Sequence, residues 1–125
     1  MAVVLVIDDD QEIAEMLRLL LTASGFETYI ALEGQEGLRK AAETPPDVVL
    51  LDIMMPDLNG WQVFEQLRRQ FSVPIIFVSA YDNRANLERA RRMGATDFIR
   101  KPFRPEELMA CIHMALERRR LDPIH

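Results

Sequence analysis

Five short apolar runs alternate along the chain with five stretches in which apolar residues recur every three or four positions. The runs lie at residues 2–7, 26–31, 47–51, 74–78 and 96–100, lengths suited to strands. Val3-Val4-Leu5-Val6-Ile7 and Val48-Val49-Leu50-Leu51 have no polar interruption, the profile of strands buried on both faces. Residues 26–31 interleave polar positions and belong near a sheet edge. In the first helical stretch, residues 11–24, Ile13, Met16, Leu17, Leu20 and Leu21 share a face, and Gly25 follows where a helix-ending glycine belongs. Pro45-Pro46 stops a weaker helix over 34–43. Asn59-Gly60 marks a turn before a helix over 60–71, with Phe64, Leu67 and Phe71 inward. A fourth helix, 84–93, has only a thin stripe of Leu87, Ala90 and Met93. Pro105 opens the last, which runs to about residue 119.

Strands that alternate with helices over short loops imply parallel pairing and right-handed crossovers, hence a three-layer α/β sandwich, and the two most apolar strands, the first and third, are expected to be central and adjacent. In open parallel sheets, ligands gather at the rim formed by the carboxyl ends of the strands. Four polar signals reach that rim: Asp8-Asp9-Asp10 after the first strand, Asp52 after the third, Ser79 after the fourth and Lys101-Pro102 after the fifth. Carboxylates delivered by two strands to one rim suit a hard divalent cation. Helix capping accounts for one of the three clustered aspartates, Asp10.

At 125 residues and 49% hydrophobic, the chain has room for one domain with one core. A net charge of −5 argues against a nucleic-acid surface, which needs a basic face. Arg118-Arg119-Arg120 reads as a solvated helix end favoured by the dipole. The single cysteine, Cys111, excludes an internal disulfide and shares helical spacing with Leu108, Ile112, Ala115 and Leu116, as a small core residue would. No apolar run approaches the roughly 18 residues of a membrane span, and the start is too short for a signal peptide, so a cytoplasmic protein is expected.

The ordered set of Asp8-Asp9, Asp52, Met55-Pro56, Asn59-Gly60, Ser79 and Lys101-Pro102 closely resembles the receiver domain of two-component response regulators, of the chemotaxis-regulator type. The resemblance implies a flavodoxin-like, doubly wound sandwich with a five-stranded parallel sheet of order 2-1-3-4-5 and five helices. Residues 1–120 would form the domain, and 121–125 a tail or the start of a linker. It further implies that Asp52 accepts a phosphoryl group and that Asp9 binds Mg²⁺ directly, with Asp8 acting mainly through water. The carbonyl of Met54 would be a main-chain ligand, and Mn²⁺ a substitute ion. Ser79 and Lys101 would assist the transfer, Ser79 and Phe98 would carry the switch, and Lys101-Pro102 would be a cis peptide.

The implied role is that of a switch rather than of an enzyme with a separate substrate. A histidine kinase or histidine phosphotransfer protein would donate the phosphoryl group. Phe98 would swing from solvent into space vacated by Ser79, changing the surface of helix 4, strand 5 and helix 5. That face would act on a downstream protein or an appended effector domain, or support a homodimer. Met54 and Tyr81 offer no acid or amide to orient an attacking water, so self-dephosphorylation is expected to be slow. Asp8 and Asp10 also give the aspartate-x-aspartate of a haloacid-dehalogenase-type phosphohydrolase, but Gln11-Glu12 and the short chain fit that rival poorly. A nucleotide or flavin binder is weaker still, because no glycine-rich loop follows the first strand.

Overall fold

The computed structural model describes residues 1–121. Its elements run β1 (Val3–Ile7), α1 (Gln11–Ala23), β2 (Glu27–Ala31), α2 (Gly34–Glu43), β3 (Val48–Leu51), α3 (Gly60–Gln70), β4 (Ile75–Ser79), α4 (Arg84–Met93), β5 (Asp97–Arg100) and α5 (Pro105–Leu121). All five strands are parallel in the order β2-β1-β3-β4-β5. The expected fold class is therefore observed, with β2 at an edge. Element ends shift by one or two residues, so that Ser79 closes β4 rather than following it. Residues 122–125, most of the expected tail, lie outside the described part.

The two-residue period of each strand divides the core between the faces of the sheet. Leu5, Ile7, Val49, Leu51, Ile75 and Phe77 face one way, where Trp61, Val63, Phe64 and Leu67 of α3 and Ala90 of α4 cover them. Val4, Val6, Val48, Leu50, Ile76, Val78 and Ile99 face the other, under Leu17 and Leu21 of α1 and Leu108, Ile112 and Ala115 of α5. β3 and β4 are buried throughout, as continuous apolar runs require.

Several sequence expectations need correction in detail. Met16 does not share the buried stripe of α1 but is 47% exposed, as is neighbouring Leu19 at 60%. The buried face of α1 instead centres on Ala14, Leu17 and Leu21, which recur at helical spacing three and four residues apart. Asn83 caps α4, and the loop residue before it, Asp82, pairs with Arg100 at 3.3 Å. Arg119 is no purely solvated residue, since its guanidinium donates to the carbonyls of Pro46 and Asp47. Cys111 is half-buried beside the second core, but its thiol also donates to Asp97 at 3.2 Å. Burial, then that carboxylate, push the thiol up to about 12. It therefore stays protonated and unreactive near neutral pH.

Candidate functional site

Parallel register brings the strand ends level. Ile7 pairs with Leu51, Leu51 with Phe77, and Ser79 with Arg100, so Asp8, Asp52, Ser79 and Lys101 all emerge at one rim. Asp8 and Asp52 continue the β1 and β3 ladders, their amides donating to Ala31 and Ile7 at 3.0 and 2.9 Å. Lys101 does the same beside β4, donating its amide to the Ser79 carbonyl at 3.0 Å. The expected cis peptide is present between Lys101 and Pro102.

Local bonding then aims the side chains. Asp8 Oδ1 accepts from the Asp10 amide at 2.9 Å, and Asp52 Oδ1 accepts from the Ile53 amide at 2.8 Å. The other oxygen of each faces Lys101, whose Nζ lies 2.6 Å from Asp8 Oδ2 and 3.4 Å from Asp52 Oδ2. Asp8 is 2% and Asp52 7% exposed, so these charges meet in a largely dehydrated environment. Asp10 turns away to cap α1, accepting from the amides of Glu12 and Ile13. Asp9 stays exposed, yet one oxygen each from Asp8, Asp9 and Asp52 lie within 4.8 Å of one another.

Three carboxylates against one ammonium leave a formal excess of two negative charges. Burial raises the Asp8 carboxyl above the ordinary value; Lys101 and the Asp10 amide oppose this, and the Asp52 charge adds to it. For Lys101, burial lowers the ammonium, but its bonds and attraction to Asp8 and Asp52 prevail and hold it above the ordinary lysine value. An all-oxygen donor set short of two positive charges is what Mg²⁺ requires. The residues present fit that ion.

The remaining expected residues are near, in different states. Ser79 is fully buried, and its Oγ accepts from the Tyr81 amide at 3.1 Å. Met54 sits on the β3–α3 loop with its side chain 50% exposed, and Tyr81 is equally exposed. Phe98 does not stand free in solvent: its ring is half-buried, 6.0 Å from that of Phe77. Contact with the apolar core outweighs hydration even without a displaced serine. Gly60 closes the loop against the site, because a Cβ there would lie 2.2 Å from the Asp52 carbonyl oxygen. Asp57, unremarked in the sequence, accepts from the amides of Gly34 and Gln35, both at 2.9 Å.

Comparison with known proteins agrees with this geometry. The family model described as "Response regulator receiver domain" matches residues 4–113. The DNA-binding response regulator MtrA of Mycobacterium tuberculosis is 39% identical over 120 residues, covering 96% of this chain and 53% of the relative. The transcriptional regulatory protein KdpE of the same organism is 41% identical over 118 residues, covering 94% and 52%. The chain thus spans about half the length of these curated relatives. Among solved structures, a CheY-like receiver domain protein from Methanospirillum hungatei superposes with a TM-score of 0.92 at 28% identity, covering 98% of both chains. Chemotaxis protein CheY4 of Vibrio cholerae gives 0.88 at 31% identity, covering 93% of this chain and 99% of that one.

Proposed function

The chain belongs to the response regulator receiver family, whose members are phosphorylation-dependent switches of two-component signalling, and on that premise we propose that Asp52 is its phosphoacceptor. The observation that carries this reading is the bridge of Lys101 between Asp8 and Asp52, inside a cluster of three carboxylates. Attack by an Asp52 carboxylate oxygen forms a bond to phosphorus as the bond to the donor histidine nitrogen breaks. The histidine keeps that electron pair and takes up a proton. Lys101 faces Oδ2 of Asp52, where its positive charge would offset that of the incoming phosphoryl group, and the buried Ser79 hydroxyl lies at the end of the adjoining strand. Phosphoryl transfer needs little beyond such positioning and charge compensation.

Asp8, Asp9 and Asp52, with the Met54 carbonyl, would hold Mg²⁺ or Mn²⁺. The ion supplies, when bound, the positive charge that lets a carboxylate approach an anionic phosphoryl group. The donor would be a sensor histidine kinase or a histidine phosphotransfer protein. The output surface would be α4, β5 and α5, where Ser79 and Phe98 carry the change to a second copy of the chain, a target protein or an appended effector domain. Among the described residues no helix is long and apolar enough to cross a membrane, and a cytoplasmic location follows from the signalling role. The domain catalyses its own phosphotransfer and a slow self-dephosphorylation.

Incubation with acetyl phosphate and Mg²⁺ tests the assignment. Uptake is expected for the wild type and lost in Asp52→Ala and on chelation by EDTA; undiminished uptake by Asp52→Ala would refute it.

A further inference from the structure

The first turn of α2 lacks a cap of its own. Glu33 stands at the N-cap position without a side-chain hydrogen bond. The orphan amides of Gly34 and Gln35 are instead satisfied by the two oxygens of Asp57, which lies more than twenty residues away on the β3–α3 loop. Burial raises the Asp57 carboxyl, but donation from the amides of Gln35, Leu58, Gly34 and Asp57 itself prevails, leaving it below its ordinary value. The loop is thus held at two places. At its neck, the Gly60 amide donates to the Ile53 carbonyl at 2.5 Å. At its tip, Asp57 grips α2, and Leu58 packs so closely that a Cβ on Gly34 would lie 3.0 Å from its own. Between these anchors sits Met54, whose half-exposed side chain does little to fix it. Met55 and Leu58 touch the core, but apolar contact is non-directional.

We propose that Asp57 is a positioning residue for the cation site: by capping α2 across space, it fixes the loop that carries the Met54 carbonyl. The inference rests on the reading of the site given above. It makes α2 a part of the metal-binding apparatus although no α2 residue is a ligand. Residues that orient ligands indirectly commonly change metal affinity by about 10–100-fold, and Asp57 belongs at the lower end because it acts through backbone. Linkage makes the effect reciprocal, so cation binding should tighten the first turn of α2.

The test is Mn²⁺ binding, followed by loss of the free-ion electron paramagnetic resonance signal, in wild type, Asp57→Ala, Asp57→Asn and Asp9→Asn. Asp57→Ala is expected to weaken binding about tenfold. Asp57→Asn, which keeps one acceptor oxygen in an isosteric and exposed side chain, should fall between and guards against misfolding of the alanine variant. Hydrogen exchange at Gly34 and Gln35 should slow with Mg²⁺ in the wild type and not in Asp57→Ala. Affinities of both Asp57 variants within about twofold of wild type would overturn the inference and leave Asp57 a helix cap alone. Failure of the wild type to bind, or wild-type affinity in Asp9→Asn, would instead remove the site itself, and the inference with it.

Discussion

Met54 and Tyr81 stand two residues beyond Asp52 and Ser79, and each is half exposed at the mouth of the site. An attacking water needs an acceptor that holds its proton in line, and neither a thioether nor a bulky phenol placed there supplies one well. The double variant Met54→Asn with Tyr81→Glu should therefore speed loss of phosphate from Asp52 by about tenfold or more, within the usual range for a positioned general base. An unchanged decay rate, followed by the loss of phosphoprotein on a phosphate-affinity gel, would show that water reaches the site without their help. Single residues also mark where sequence reading stops. Asp8, Asp9, Asp52, Ser79 and Lys101 were legible because each stands at or just past the carboxyl end of a strand, and parallel register brings those ends level. Asp57 was not, because its partners Gly34 and Gln35 are distant in sequence and no local pattern encodes capping across space.

At the scale of elements, α4 is the helix with the fewest buried residues among those described. Among its described residues Ala90 alone is buried, and Leu87 is 42% exposed. Its attachments include the Arg89 guanidinium 4.4 Å above the Trp61 ring of α3. Two clefts of about 460 and 300 Å³ are each lined in part by Phe98 and Leu87. Fuller burial of an aromatic ring is worth at most about 1.5–3 kcal/mol. Because Phe98 already leans on Phe77, the gain left for a switch is smaller, and a weakly held α4 is what makes a small gain sufficient. Amide exchange in α4 should be faster than in α1 or the first turns of α5. Arg89→Ala should quicken it by a further two- to fivefold, the equivalent of about 0.5–1 kcal/mol for an exposed cation–π contact. Exchange in α4 as slow as in α1 would contradict this. The thin stripe of α4 was readable from spacing alone, whereas the exposure of Met16 on α1 was not. A stripe shows which residues share a face, not which part of that face the sheet covers, and here the covered part centres on Ala14, Leu17 and Leu21.

Over the whole molecule, one feature of topology does most of the work: β1 and β3 are neighbours, so their terminal carboxylates meet. The unbroken apolar runs of β1 and β3 made that adjacency legible, since strands covered on both faces belong at the centre of a sheet. The balance of burial against ion pairing at Asp8 and Lys101 emerges only from the folded geometry. The central claim, that this rim transfers phosphate to the β3 carboxylate with a divalent cation, is tested most directly by locating the acyl phosphate. Borohydride reduces an aspartyl phosphate to homoserine, which peptide mass spectrometry can place after treatment with acetyl phosphate. The account predicts homoserine at position 52, dependent on Mg²⁺; homoserine at position 8, or labelling of position 52 undiminished by EDTA, would contradict it.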